Sequence, residues 1–292
     1  MSVERRASYF ARVEDERAPL NTQHSTLNIL RYAEIYWLMI RNSLIREMSF
    51  KANFTLWMVV ELLWFAGQII FLEVLYGHVD SIGGWSKWEC VLLVGTHQIT
   101  AQIFQAFFYV NLAELPDLIR SGRLDLMLVL PVDAQFAIST RKFGFDNVVN
   151  ALVGVAMVVF CLFKLGVVPH AHQVALYVVA IGFGVAIHYA VMFALATVAF
   201  WIVRAQGLIY GYYNVFNIAR YPDAVFRGFF KVIFTYFIPV IIVANVPAKT
   251  LARALESPWS GLAQLAGASV FVVLASRWFW HFAIRRYSSA SS

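Results

Sequence analysis

Long apolar runs alternate with short polar ones along the chain. A helix that crosses the hydrocarbon core needs roughly 20 mostly apolar residues, because no water is present there to satisfy an exposed backbone N–H or C=O. Six runs meet that length: residues 54–75, 89–110, 143–163, 174–203, 226–246 and 262–282. The fourth is longer than required, which leaves room for tilt. No stretch between two runs is long enough for an inserted soluble domain. The pattern predicts an all-α membrane protein with six transmembrane helices over residues 53–284.

Other segments follow a different period. Over residues 27–52, Arg31, Glu34, Arg41, Asn42 and Arg46 share one helical face, while Ile29, Ala33, Tyr36, Ile40 and Leu44 lie opposite. Leu38 and Ile35 interrupt the pattern, but a basic face backed by aromatics suits a helix lying in the membrane interface. Such a helix is either a plain surface anchor or a lever that also touches a cytoplasmic partner. Residues 119–136 read IRSGRLDLMLVLPVDAQF, within a loop spanning 112–142. Pro116 fits a first helical turn, where a missing N–H is harmless, and Asp117 suits the positive end of the helix dipole. Gly122 tolerates the left-handed conformation that stops a helix. The next run is too short to span, Arg123 and Asp125 keep it near the surface, and Pro131 turns the chain again. This segment reads as an ordinary structured loop or as a docking knob. Residues 204–228, rich in Tyr and Phe, read as an aromatic interface belt.

Composition agrees with the pattern. A mean hydropathy of +0.66 and only 14% charged residues lie far from the roughly 25% charged residues of soluble domains. The net charge of +6 is not arranged as basic blocks among stacking groups, so no nucleic-acid partner is expected. It follows orientation instead. With the N-terminus inside, 19 of the 23 lysines and arginines are assigned inside, and only Lys87, Lys164, Lys249 and Arg253 outside. The positive-inside bias then predicts both termini in the cytoplasm, with residues 285–292 as a cytoplasmic tail. Residues 1–26 form a polar segment with no apolar stretch for a cleavable signal peptide. Cys90 and Cys161 supply neither a metal cluster nor a disulfide framework.

Polar residues inside predicted spans are the remaining candidates, since burying them in lipid is costly. Glu61 and Gln68 share a face of the first span, and Gln98, Gln102 and Gln105 share one of the second. These stripes either bond the helices together or line a hydrophilic path or dimer seam. Asn147, Asn150 and His188 read as satisfied buried groups. The sequence contains no GxxxxGK[ST] phosphate loop, HExxH or GxSxG motif. His170 and His172 form a weak metal signal without further ligands nearby. No enzyme activity, cofactor or metal is expected in this chain.

These features together resemble the bacterial ATP-binding-cassette (ABC) exporter permeases of the type-2 membrane class. The resemblance rests on six spans, the amphipathic helix before them, and the loop residues Gly122, Leu124, Asp125, Leu128 and Pro131. RYPDAVF at 220–226, FIPVIIVANVPA at 237–248 and the tail RRYSSASS extend it over nearly the whole chain from residue 28. It implies a multi-pass protein of the cytoplasmic (inner) membrane that pairs with a second permease copy or paralogue. It also implies a separate ABC ATPase subunit, which holds ATP and Mg, docked on the first inner loop. Asp117, Arg120, Arg123 and Asp125 would then meet the ATPase, supported by the interfacial helix at Arg41 and Arg46. Glu61, Gln68, Gln98, Gln102 and Gln105 would face the path or seam, and residues 247–261 would dip back as short outer helices. The rival reading is a self-contained channel or ion-coupled carrier, which would show midplane charges and inverted repeats. No convincing repeat is found, and Glu61 is nearly alone.

Overall fold

A computed structural model describes residues 22–48, 51–130, 132–202, 205–252 and 258–287. Pro131, most of the 1–26 segment and the last five residues lie outside the described residues. Among those described, the chain is helical throughout, without strands. Helix α1 covers Thr22–Met48 and α2 covers Lys51–Tyr76. Helix α3 covers Lys87–Phe104 and continues through a π-helical turn at Gln105–Tyr109 into Val110–Ala113. Three short helices follow: α4 (Leu115–Arg120), α5 (Arg123–Leu128) and α6 (Ala134–Thr140). Then come α7 (Phe145–Leu165), α8 (Ala171–Thr197) and α9 (Gln206–Phe216), the last extended by a 3-10 turn at Asn217–Arg220. The chain closes with α10 (Gly228–Val232, continued by Ile233–Phe237), α11 (Ile241–Ala252) and α12 (Pro258–Ile284).

Four helical stretches are long and apolar enough to cross a membrane on their own: Thr55–Tyr76, Phe145–Leu165, Ala171–Phe200 and Trp259–Ile284. Helix α3 sits at the centre of the bundle against α7, α8 and α11, and every residue from Cys90 to Gln102 is buried. Small residues allow this packing. A Cβ on Gly154 of α7 would come within 2.9 Å of Ile99 Cγ1 and 3.2 Å of the Gly95 carbonyl oxygen, so the α3 and α7 backbones approach closely only because both positions are glycine. The π-helical turn shifts the backbone register, and the Ala106 carbonyl accepts a bond from Gly144 N–H at 2.9 Å.

The predicted fifth span, 226–246, is not one helix. Gly228–Phe237 and Ile241–Ala252 meet at 86°, broken at Ile238–Val240 around Pro239. Contacts place both arms on one side. Asp223, just before α10, pairs with Lys249 near the end of α11, and the Lys249 ammonium lies over the Trp85 ring in the α2–α3 loop. Val243, near the start of α11, packs on Gly184 and approaches α3 halfway along the bundle. The pair therefore enters and leaves at the same end. It lies earlier than the expected outer segment 247–261, which divides between α11, residues outside the described set, and α12.

Helix α9, with the 3-10 turn that follows it, connects the two ends of the bundle instead. It runs from Gln206, bonded to Asp117, to Arg220 and Tyr221 beside Ile82. The apolar count missed α9 because it has only 11 residues, short of the roughly 20 the count requires. As a result Arg220, Arg227 and Lys231, grouped with the basic residues of the N-terminal side, lie at the opposite end with Trp85 and Lys249. With these three moved and the other assignments left as read from the sequence, the division of basic residues becomes 16 to 7 rather than 19 to 4.

Candidate functional site

The knob end begins where α3 stops. Asn111, almost fully buried, donates to the carbonyls of Ser139 at 2.9 Å and Lys142 at 2.8 Å, and its own oxygen accepts from Lys142 N–H at 3.0 Å. Glu114 pairs with Arg141 at 3.1 Å and with Lys142. Burial pushes the Glu114 carboxyl up, but Lys142 and Arg141 outweigh it and hold the group below its ordinary value. From this base α4 starts with Pro116 in its first turn, and Gly122 at φ 69° separates it from α5. Its apolar side, Leu115, Leu118 and Ile119, is buried, so the charged side is presented outward.

Asp117 accepts from Arg120 at 3.0 Å and from Gln206 Nε2 at 3.1 Å, which ties α4 to the foot of α9. Arg120 is exposed, as is Arg123, whose Nε donates to Ser121 Oγ at 3.0 Å; Asp125 is half-buried in the first turn of α5. Arg41 is exposed on α1, whereas the side chain of Arg46 lies outside the described residues. Helix α1 is held against α6: Tyr32 Oη accepts from Asp133 N–H at 2.9 Å, and the Tyr32 and Phe136 rings meet edge to face at 5.0 Å. Asp133 also binds Arg277 of α12 at 2.7 Å. Burial raises the Asp133 carboxyl, but Arg277 and the Phe136 N–H hold it below its ordinary value. The four expected docking residues thus share one short helical pair, while Arg41 sits on a separate helix.

The polar stripes do not stay together. Gln102 Nε2 donates to Glu61 at 3.2 Å, with Asp146 of α7 close by, and the Gln102 carbonyl oxygen is buried without a partner. Gln105 lies near Tyr213 of α9. Gln98 is buried in the core of α3, and Gln68 instead lines a cavity. Asn150 is buried with both side-chain polar atoms unpartnered, and His188 bonds Tyr212 Oη at 3.1 Å while stacked on Phe216. Among the described residues no group of three or more His, Cys, Asp or Glu side chains is placed to hold a metal.

At the opposite end, the turn that follows α9 is clasped by the re-entrant pair. Asn245 accepts from Asp223 N–H at 2.9 Å and donates to the carbonyls of Tyr221 at 3.1 Å and Ile241 at 3.0 Å. Lys249 binds Asp223 at 2.6 Å. Gly83 accommodates this turn: at φ 59° it lies so near Ala224 that a Cβ would come within 2.6 Å. Asn111, Asn245 and Lys249 were absent from the candidates read from the sequence. RYPDAVF and FIPVIIVANVPA, which entered only through the resemblance, contain Asp223 and Asn245 of the clasp.

A bundle of membrane-length helices, with charged short helices at one end and a re-entrant pair at the other, defines a multi-pass membrane protein. The profile described as ABC-2 family transporter protein matches residues 62–291, and the chain belongs to that family. It is therefore an ABC transporter permease subunit, a membrane component without its own nucleotide site, and its family implies an ABC ATPase partner. No curated protein matches the chain.

Proposed function

We propose that this permease subunit is part of a bacterial exporter in the cytoplasmic membrane, driven by a separate ATPase that docks on α4 and α5. The observation that carries the reading is the bond from Gln206 to Asp117. It links an exposed, charged helix to the foot of a helix that reaches the far end of the bundle, so a push on the knob is delivered to α9. Asn111, Glu114 and their partners stiffen the base, and α1 with Arg41 flanks it. Arg120 and Arg123 meet the ATPase, and ATP with Mg is bound there. A second permease copy or a paralogue completes the path, with Glu61, Gln102 and Gln105 toward it. The 16 to 7 split of basic residues still favours a cytoplasmic knob end and cytoplasmic termini.

The test is charge reversal. In the complex captured through this chain, Arg120→Glu with Arg123→Glu lowers cargo-stimulated ATP hydrolysis toward the basal rate while the helical content is unchanged. Stimulation at the wild-type level overturns the docking assignment. A chain that moves cargo in vesicles without any ATPase would favour the carrier class instead.

A further inference from the structure

We propose that the groove along α2 holds the cargo, and that the cargo is an anionic amphiphile with an acyl chain whose acidic head is bound by Arg220. The cavity measures about 790 Å³, within the ~300–1,000 Å³ range of sites that enclose drug-sized molecules. It follows α2 from Val60 to Leu75, a rise of about 22 Å at 1.5 Å per residue. That is the shape of an extended chain rather than a compact ligand. Leu63, Trp64, Phe71 and Val94 are typical of the wall, and its polar side chains are Gln68, Cys90, Arg220 and Tyr221. A peptide or a sugar would leave its own polar groups unsatisfied against such a wall.

Arg220 sets the sign. It has no ion pair among the described residues, its Nε is buried without a partner, and its guanidinium lies 5.6 Å from the Tyr221 ring centre. The nearest acid on the same turn, Asp223, is taken by Lys249. A cation beside apolar surface is costly to leave unpaired, and a guanidinium matches a carboxylate or phosphate in two parallel bonds. A zwitterionic head would bring a second positive charge to the same place. Leu63 and Trp64, on the wall, are each 67% exposed, so the groove is open along α2 and a molecule can enter sideways from the bilayer.

That the bound molecule is cargo rests on the exporter reading; that it binds does not. The test uses the complex captured through this chain, placed in phosphatidylcholine nanodiscs that carry brominated phosphatidic acid or, as control, brominated phosphatidylcholine with the same chains. Bromine quenches Trp64, and Trp64→Phe isolates its share among the nine tryptophans. Phosphatidic acid is expected to quench Trp64 at several-fold lower content than phosphatidylcholine. Arg220→Gln should remove that preference. Gly67→Leu, at a position where a Cβ meets nothing within 4 Å, should fill the groove and reduce quenching by both lipids, with unchanged elution and helicity. MgATP turnover should lower the Trp64 quench, as cargo leaves. Equal quenching by the two lipids, or a preference that survives Arg220→Gln, overturns the binding site. A quench untouched by turnover marks a resident lipid and overturns the cargo assignment. Failure to recover any ATPase strikes the exporter reading instead and leaves the binding result standing.

Discussion

Helices α2 and α3 run side by side and obey opposite rules. The α2 span Thr55–Tyr76 is apolar by composition, and only Phe65 and Leu72 of it are buried, with Leu56, Trp57, Leu63 and Trp64 facing outward. Helix α3 carries Thr96, His97, Gln98, Thr100 and Gln102, and all of them are buried. In a membrane, apolarity marks exposure to lipid, because lipid cannot bond a polar group. A helix shielded by its neighbours can be polar, since those neighbours supply the partners: Thr96 bonds Tyr177 Oη at 3.1 Å, and Gln102 bonds Glu61. The rule for soluble proteins, apolar inside and polar outside, is reversed along this pair.

The contrast can be broken most severely at the α3–α7 crossing. Gly154→Leu puts a side chain where Ile99 and the Gly95 carbonyl already stand, and the overpacking costs about 3 kcal/mol or more. Loss of the monodisperse peak in size-exclusion chromatography is expected; a normal peak would show that the two backbones can separate. A matched pair of truncations sharpens the comparison. Leu93→Ala in α3, where the side chain is fully buried, costs about 2–5 kcal/mol. Leu63→Ala in α2, mostly facing outward, changes stability by about 0.5 kcal/mol or less. Thermal unfolding in one detergent compares the two, and equal shifts would refute the assignment of α2 to the lipid-facing layer.

A small effect is expected at the knob end, where ion pairs add to the buried contacts of α4. Glu114 and Asp133 are both held below their ordinary values of 4.5 and 3.8. Their contribution is present above those values and is lost as the pH falls through the lowered ones. Stability is therefore flat from neutral pH down to about 5 and declines below about 4, by about 1 kcal/mol or less per pair because each carboxylate is about one-third exposed. Glu114→Gln should flatten its share of the acid limb in a pH series of melting curves. An unchanged acid limb would mean that the pair with Arg141 and Lys142 contributes nothing.

Much of the knob was legible because its signals are local. Pro116 in a first turn and Gly122 at a left-handed stop are properties of single residues and their neighbours, and the structure has both. The bonds from Gln206 to Asp117 and from Arg277 to Asp133 join residues 89 and 144 positions apart, and no spacing rule reaches them. The same limit explains the fifth crossing. Residues 226–246 satisfy a length count, but a count does not tell a chain that crosses from one that doubles back at Pro239. Helix α9 fails the count yet reaches the far end, its Tyr212 and Phe216 sheltered by α3 and α8.

By itself the sequence determined that this protein is helical, that it lives in a bilayer, and that a charged, well-stopped helix follows its second crossing. Those properties come from apolar length, proline, glycine and charge, which act within a turn or two of the chain. Only the tertiary structure decided which apolar runs cross, which polar groups bond one another, and that a groove ending at Arg220 opens along α2. These depend on residues far apart in sequence meeting in space, where packing and hydrogen-bond partners, rather than local propensity, set the free energy.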